Sequence, residues 1–150
     1  NLVFYKAFHL YSCHWLSATV SAQYTVNTSV NVHGFNTYGG GFGTNGKALP
    51  GNSFQGIVSF EYTLNRNWVL ALDNVYTHTD TTGFFGMPGI ALTGTVATVG
   101  TPSSAQFSFS PAIEYNFSSY FGLIAGCWFS ATGRNSTEFR SGVVNFKYVY

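Results

Sequence analysis

The chain has 150 residues, a length that favours one domain, and six Lys and Arg against five Asp and Glu give it a formal net charge of +1. Charged residues make up only 7% and aromatic residues 19% of the chain, whereas charged residues are roughly 25% of an ordinary soluble domain. The aromatic content excludes intrinsic disorder, and the near-zero charge excludes a nucleic-acid partner, because neutralising phosphates requires a basic stripe.

Alternation of apolar and polar residues with period two predicts β-strands from the start of the chain. The first predicted strand, 2–12, has blurred alternation. The second, 16–26, alternates without a break, and Asn27 and Thr28 then predict a tight turn into a third strand at 29–34. No stretch approaches the roughly 18 apolar residues of a membrane-spanning helix.

The same pattern recurs downstream in two further predicted hairpins, 58–64 with 68–73 and 106–117 with 121–129, and in a last strand at 141–150. Longer polar, Gly-rich connections at 38–53, 80–104 and 133–137 alternate with the short turns. Short turns at one rim and long loops at the other are typical of transmembrane barrels. The sequence therefore predicts an all-β, antiparallel, up-and-down transmembrane barrel of about eight strands in one domain, with both chain ends at the short-turn rim.

The two faces of the predicted strands differ in bulk. Leu, Val, Ile, Phe and Tyr occupy one face, and Ser, Thr, Asn and Gln occupy the other, so the bulky face cannot fill the narrow interior of an eight-stranded tube. We expect it to face lipid. An aromatic girdle at the membrane interface is predicted near the short turns, at Tyr24, Tyr62, Trp68, Tyr115, Phe117 and Tyr120, with Tyr38, Tyr76 and Trp128 in the opposite belt.

Four charged residues are predicted to point into the lumen: Glu61, Asp73, Glu114 and Lys147. Ionisable groups facing a barrel interior must pair or stay hydrated. Two interpretations stay open, a polar constriction that selects solutes and a structural ion-pair plug in a filled interior.

The last strand places Val144, Phe146, Tyr148 and Tyr150 at alternate positions, and this resembles the C-terminal assembly signal of Gram-negative outer-membrane barrels. The hairpins GIVSFEYTLNRNWVLALDNVYTHTD and SPAIEYNFSSYFGLIAGCWFSATGRNS resemble those of transporter-type barrels of the phenol-degradation meta-pathway. The resemblance implies a bacterial outer-membrane location, contact with outer-membrane lipid and the barrel-assembly machinery, and passage or binding of small apolar solutes. Family members are usually larger, so two alternatives stay open: a complete barrel of about eight strands and the C-terminal part of a larger barrel. No catalytic motif, cofactor or metal site comes with it.

Two other functions remain as alternatives. His78 and Asp80, with Ser103 or Ser104 near the same rim, could form the site of an outer-membrane lipid enzyme. A soluble, lipocalin-like ligand-binding barrel with the faces inverted would show the same alternation. The segment 80–104 is more apolar than a solvated loop, which indicates either a fold into the barrel mouth or a contact surface.

Overall fold

The computed structural model describes residues 1–149, and within them every regular element is a β-strand; the all-β, antiparallel prediction is confirmed. None of these residues belongs to a helix long and apolar enough to cross a membrane. The strands are β1 (Leu2–Tyr11), β2 (His14–Thr25), β3 (Val30–His33), β4 (Asn45–Leu49), β5 (Ser53–Thr63), β6 (Trp68–Thr79), β7 (Gly83–Met87), β8 (Ser104–Asn116), β9 (Phe121–Arg134) and β10 (Arg140–Tyr148).

The chain divides into two compact units. The first, which we call the sheet unit, comprises residues 1–23, 55–77 and 105–149 of the described chain. The second, the loop unit, comprises residues 24–54 and 78–104. The loop unit consists of the two longest connections together with strand ends.

The sheet unit is a seven-stranded sheet in the order β1-β2-β5-β6-β8-β9-β10. The strand registers make β1 with β2, β8 with β9 and β9 with β10 antiparallel. A ring contact between Trp68, at the start of β6, and Tyr115, at the end of β8, shows that these neighbours are antiparallel too. The sheet is open, and β1 and β10 are its edges.

The predicted closed barrel of eight strands is therefore corrected to an open sheet of seven. The stretch 29–34 contains strand β3, as predicted, but β3 belongs to the other sheet and pairs with β4. The expected tight turn does not form, because the Asn27 backbone N–H donates to Asn52 Oδ1 at 3.0 Å and Asn27 Nδ2 donates to the Gly51 carbonyl at 2.8 Å. Period two predicts a strand but carries no information about which sheet the strand joins.

With seven strands in the sheet instead of eight, the first residue lies at the other end of the strands from the one predicted. In β1, Leu2 pairs with Ala22 near the far end of β2, whereas Tyr11 pairs with His14 beside the short turn. The chain thus begins at the end of the sheet from which the long connections leave. At the other terminus the Val149 N–H donates to the Tyr120 carbonyl, so β10 ends beside the short turn between β8 and β9. The prediction that both chain ends share the short-turn rim is wrong for the first residue.

The loop unit contains a three-stranded sheet in the order β3-β4-β7. Val32 and Ala48, on one face of this sheet, are buried at 5% and 0% exposure, whereas Val30 at its margin is 41% exposed. The loops are joined by backbone hydrogen bonds, such as those from Gly40 N to Thr98 O and from Gly100 N to Tyr38 O. The apolar segment 80–104 therefore supplies β7 and backbone partners for the loop that precedes β4, rather than an unstructured surface loop.

Candidate functional site: the two faces of the seven-stranded sheet

Cross-strand contacts define two faces of the sheet unit. Residues directly opposite each other in an antiparallel pair lie on the same face, so Phe4 shares a face with Val20, and Phe146 shares a face with Leu123. The hydrogen bond between Tyr62 Oη and His14 Nδ1, 2.9 Å long, carries this face from β2 to β5. We call it the apolar face; its large members include Leu2, Phe4, Phe8, Leu16, Val20, Phe60, Trp68, Leu70, Leu72, Ile113, Tyr115, Phe121, Val144 and Phe146.

The large side chains of the apolar face are exposed rather than packed against other residues. Phe60 and Leu70, in central strands, are each 42% exposed, and Val144 and Phe146 on β10 are 66% and 68% exposed. Within the described residues no large side chain is fully buried. A water-soluble domain of this size would bury such side chains, because each contributes about 1.5–3 kcal/mol when removed from water.

The opposite face, which we call the polar face, carries Ser17, Thr19 and Ser21 on β2 and Ser59 on β5, all half-buried. It is not uniformly polar. Tyr5 lies opposite Thr19 and Val143 lies opposite Gly126, so aromatic and aliphatic side chains stand among the hydroxyls.

All four predicted lumen charges lie on the polar face of the sheet. Ser17 Oγ donates to Glu61 Oε2 at 3.1 Å, which joins β2 to β5. Glu114 and Lys147 form an ion pair with an Oε1–Nζ distance of 3.7 Å. Asp73, two residues after Ala71 along β6, is half-buried. The contacts thus form two polar groups, Ser17–Glu61 and Glu114–Lys147, rather than one cluster of four.

The Glu114–Lys147 ion pair crosses an intervening strand, β9. Glu114 lies opposite Ile124 of β9, whereas Lys147 lies opposite Gly122, so the pair runs diagonally across this strand. On its other side Gly122 lies opposite Asn116 of β8, and a Cβ at Gly122 would lie 2.8 Å from Asn116 Oδ1. Spacing along the chain could indicate a shared face for Glu114 and Lys147, but only the register shows this diagonal arrangement.

We expect Lys147→Met to lower the free energy of unfolding by less than about 1 kcal/mol, because the Lys147 side chain is 55% exposed and pairs of this kind are screened by water. Urea titration of the wild type and the variant measures the difference, with Glu114→Gln as the matched change on the other partner. A loss of about 3 kcal/mol or more would instead indicate a desolvated, structural ion pair.

The predicted girdle residues separate into two groups. Tyr62, Trp68 and Tyr115 lie on the apolar face near the short turns, and Tyr120 lies in the turn between β8 and β9, 63% exposed. Tyr24 differs from the expectation: it lies at the opposite end of β2, because Asn27 and Thr28 do not form a short turn of the sheet.

The aromatic row near the short turns extends beyond the predicted girdle to Phe121 and Phe146. Ring centroids are 4.5 Å apart between Trp68 and Tyr115, 4.8 Å between Tyr115 and Phe117, and 5.2 Å between Phe117 and Phe121. Phe121 then stacks with Phe146 at 6.4 Å. The row crosses four neighbouring strands of the sheet, β6, β8, β9 and β10. Phe121 directly follows a short turn in the sequence, whereas only the pairing of β9 with β10 brings Phe146 into the row.

Trp128 and Tyr38 lie elsewhere than in the predicted opposite belt, whereas Tyr76 lies near the long-connection end of β6, 41% exposed. Trp128 is on the polar face, where its Nε1–H donates to Ser108 Oγ at 3.0 Å. Tyr38 belongs to the loop unit.

The predicted assembly-signal residues Val144, Phe146 and Tyr148 form one exposed row along β10, and Tyr150 lies outside the described residues.

The elements of the alternative enzymatic site are partly present. His78 Nε2 and Asp80 Oδ1 are 3.2 Å apart, so this pair forms as the sequence suggested. The Ser103 backbone N–H donates to Thr81 Oγ1. Among residues 1–149, no group of three or more His, Cys, Asp or Glu side chains is arranged to hold a metal ion. The free thiols Cys13 and Cys127 are both exposed.

Comparison of the chain with family models, with curated proteins and with solved structures gives no match. The functional interpretation therefore rests on the geometry of the two faces.

Proposed function

We propose that the seven-stranded sheet is part of the wall of an outer-membrane β-barrel, with the apolar face against acyl chains and the polar face lining the lumen. The observation that carries this proposal is that large apolar side chains are exposed. Phe60 and Leu70 are each 42% exposed at the centre of the sheet, while the small residues on the polar face are half-buried. In water this arrangement would leave a large apolar patch uncovered. In a bilayer it is the stable orientation.

Strand length and the aromatic row support the same proposal. The seven strands have 9 to 14 residues, and about 9–11 residues in a tilted strand cross the hydrocarbon layer. Tyr and Trp side chains are stable at the membrane interface because one end is apolar and the other can bind water. The row from Trp68 to Phe146 lies at one end of the strands, at the level expected of such an interface.

We propose that the protein is non-enzymatic and acts as a transporter-like or structural, surface-interacting barrel. The polar face combines hydroxyls and paired charges with exceptions such as Tyr5 and Val143. A lining of this mixed kind would hydrate an aqueous path and also contact small apolar solutes, the solute class that the resemblance to transporter-type barrels implies. Barrel-assembly machinery of the bacterial outer membrane is the expected partner in folding.

Lipid contact is tested with two tryptophans at adjacent positions of β6. In a background where Trp15, Trp68 and Trp128 are replaced by phenylalanine, we compare Leu70→Trp, on the apolar face, with Ala71→Trp, on the polar face. Lipids brominated on their acyl chains should quench the fluorescence of Leu70→Trp strongly and that of Ala71→Trp weakly, because successive side chains of a strand point to opposite faces.

The soluble alternative gives the opposite result. A chain that stays folded and dispersed without detergent, with no lipid quenching of either tryptophan, would overturn the proposal and favour a ligand-binding domain in water. Equal quenching at both positions would contradict the assignment of the faces. The enzymatic alternative would require lipid hydrolysis that is lost in His78→Ala.

A further inference from the structure

From the direction of the two edge strands we infer that an odd number of additional antiparallel strands, in the same membrane orientation as this chain, pairs with both β1 and β10. The inference rests on the proposed function and states which strands must pair with the two edges of the sheet. Registers make β1 with β2, β8 with β9 and β9 with β10 antiparallel, and the Trp68–Tyr115 contact does so for β6 with β8. His14 at the start of β2 meets Tyr62 near the end of β5, and the Leu64 N–H donates to the Trp68 carbonyl in the turn between β5 and β6, so these two pairs are antiparallel as well. The first and the seventh strand of the sheet therefore run the same way. Joining them directly would require a parallel pair, and a closed antiparallel barrel has an even number of strands.

Both edges have the properties of strands that lack a partner on one side. Every residue of β1 is exposed, and so is every residue of β10. Each edge carries both faces of the sheet to its margin. On β1, Phe4 and Phe8 lie on the apolar face with Lys6 between them, its Nζ over the Phe8 ring, and Val3 and Ala7 lie on the polar face. On β10, Val144 and Phe146 lie on the apolar face and Lys147 on the polar face.

An unpaired edge is costly in hydrocarbon, where no water can bind the free backbone groups. Covering the edge with lipid therefore leaves the strand unsatisfied, whereas a further strand satisfies it. The strand that fits must place large apolar residues at alternate positions, to continue the row that ends with Val144 and Phe146. It must also run opposite to β10 on one side and to β1 on the other.

A second copy of this chain does not meet these conditions. If two copies share one membrane orientation, β10 of one copy meets β1 of the other, and the two strands run in the same direction. Antiparallel seams between β1 and β1, or between β10 and β10, require one copy to be inverted. The long connections of the two copies would then leave from opposite sides of the membrane, which directional insertion does not produce.

The strand parity can be tested with segments of the chain itself. A copy of residues 121–139 placed before residue 1 adds one strand that ends in the loop leading to β1, as β9 leads to β10. A copy of residues 104–139 adds two strands, and residues 121–139 followed by 104–139 add three. The parent chain and the three extended chains are folded in micelles at low protein-to-detergent ratio. Hydrogen exchange of the β10 amides, residues 140–148, is then measured by mass spectrometry.

We expect outward-pointing β10 amides to exchange quickly in the parent and in the two-strand extension, and at least about tenfold more slowly in the one-strand or three-strand extension, where the edges can pair. The three-strand chain covers the case in which eight strands enclose too little space for the side chains of the polar face. Equal protection in the two-strand extension, or fast exchange in all four chains, would overturn the inference. The lipid quenching of Leu70→Trp in the same four chains is scored separately: its absence would overturn the proposed function, whereas quenching without the odd-even pattern would overturn the closure inference alone.

Discussion

Leu70→Arg is expected to lower the free energy of unfolding from lipid bilayers by about 2–4 kcal/mol, the cost of a guanidinium on the lipid side of a barrel near the membrane midplane. Leu70 lies on the apolar face in β6, a central strand, and is 42% exposed. Folding in lipid vesicles across a urea titration measures the loss. In water the same change at an exposed position would cost no more than about 0.5 kcal/mol, so the size of the effect reports the solvent that Leu70 contacts.

Ala71→Arg is the matched control, because Ala71 is the next residue of β6 and its side chain points to the polar face. A guanidinium there is two positions from Asp73 on the same face, and its charge can remain hydrated or pair with the carboxylate. We expect the control to cost less than half as much as Leu70→Arg. If both variants lose the same free energy, or if Ala71→Arg loses more, the apolar face does not face lipid.

Local alternation in the sequence was sufficient to predict most strands of the sheet unit. Strand β2 shows why. Leu16, Ala18 and Val20 lie on one face and Ser17 and Thr19 on the other, so in this strand the residue type alone indicates the face. The period of side-chain direction in a strand is exactly two, and no tertiary information is needed to read it. The shared face of Glu61, Asp73, Glu114 and Lys147 follows from the same alternation.

Pairing partners are a different matter, because they depend on contacts between residues far apart in the chain. The assignment of β3 to a separate sheet depends on its pairing with β4, about which local alternation carries no information. That one strand changed the count from eight to seven, moved Tyr24 away from the short turns and placed the first residue at the opposite end. Whether the number of strands in the sheet is odd or even, and therefore whether the sheet can close on itself, thus depends on contacts between distant parts of the chain.

The predicted place of Trp128 in the opposite interface belt is wrong. The register of β9 puts this side chain on the polar face, where its Nε1–H donates to Ser108. Counting alternate positions from Phe121 would have found this, since 128 has the opposite parity. The face on which a side chain lies follows from its odd or even position in the strand. Its position along the strand axis follows from its distance to a turn that forms in the structure.

Gly41→Ala is expected to destabilise the loop unit by about 2–4 kcal/mol, in the range of substitutions that force backbone apart. A Cβ at Gly41 would lie 2.1 Å from the Ile90 carbonyl oxygen and 2.5 Å from its carbon, and these are backbone atoms that cannot turn away. The next residue, Phe42, exchanges both backbone hydrogen bonds with Ile90, at 2.8 and 2.9 Å. The added methyl group would therefore break the link between the segment 34–44 and the segment 88–99.

Hydrogen exchange resolved to peptides measures the effect, and we expect the amides of Phe42 and Ile90 to lose protection while those of β5 and β6 retain theirs. Gly83→Ala is the matched control in the same unit, because a Cβ there would meet only Leu49 Cβ, at an ordinary 3.8 Å. It should be nearly neutral. Loss of protection throughout β5 and β6 in Gly41→Ala would mean that the sheet unit depends on the loop unit for its stability. That result would contradict the proposed barrel wall, whose strands should be stable in the membrane without the loop unit.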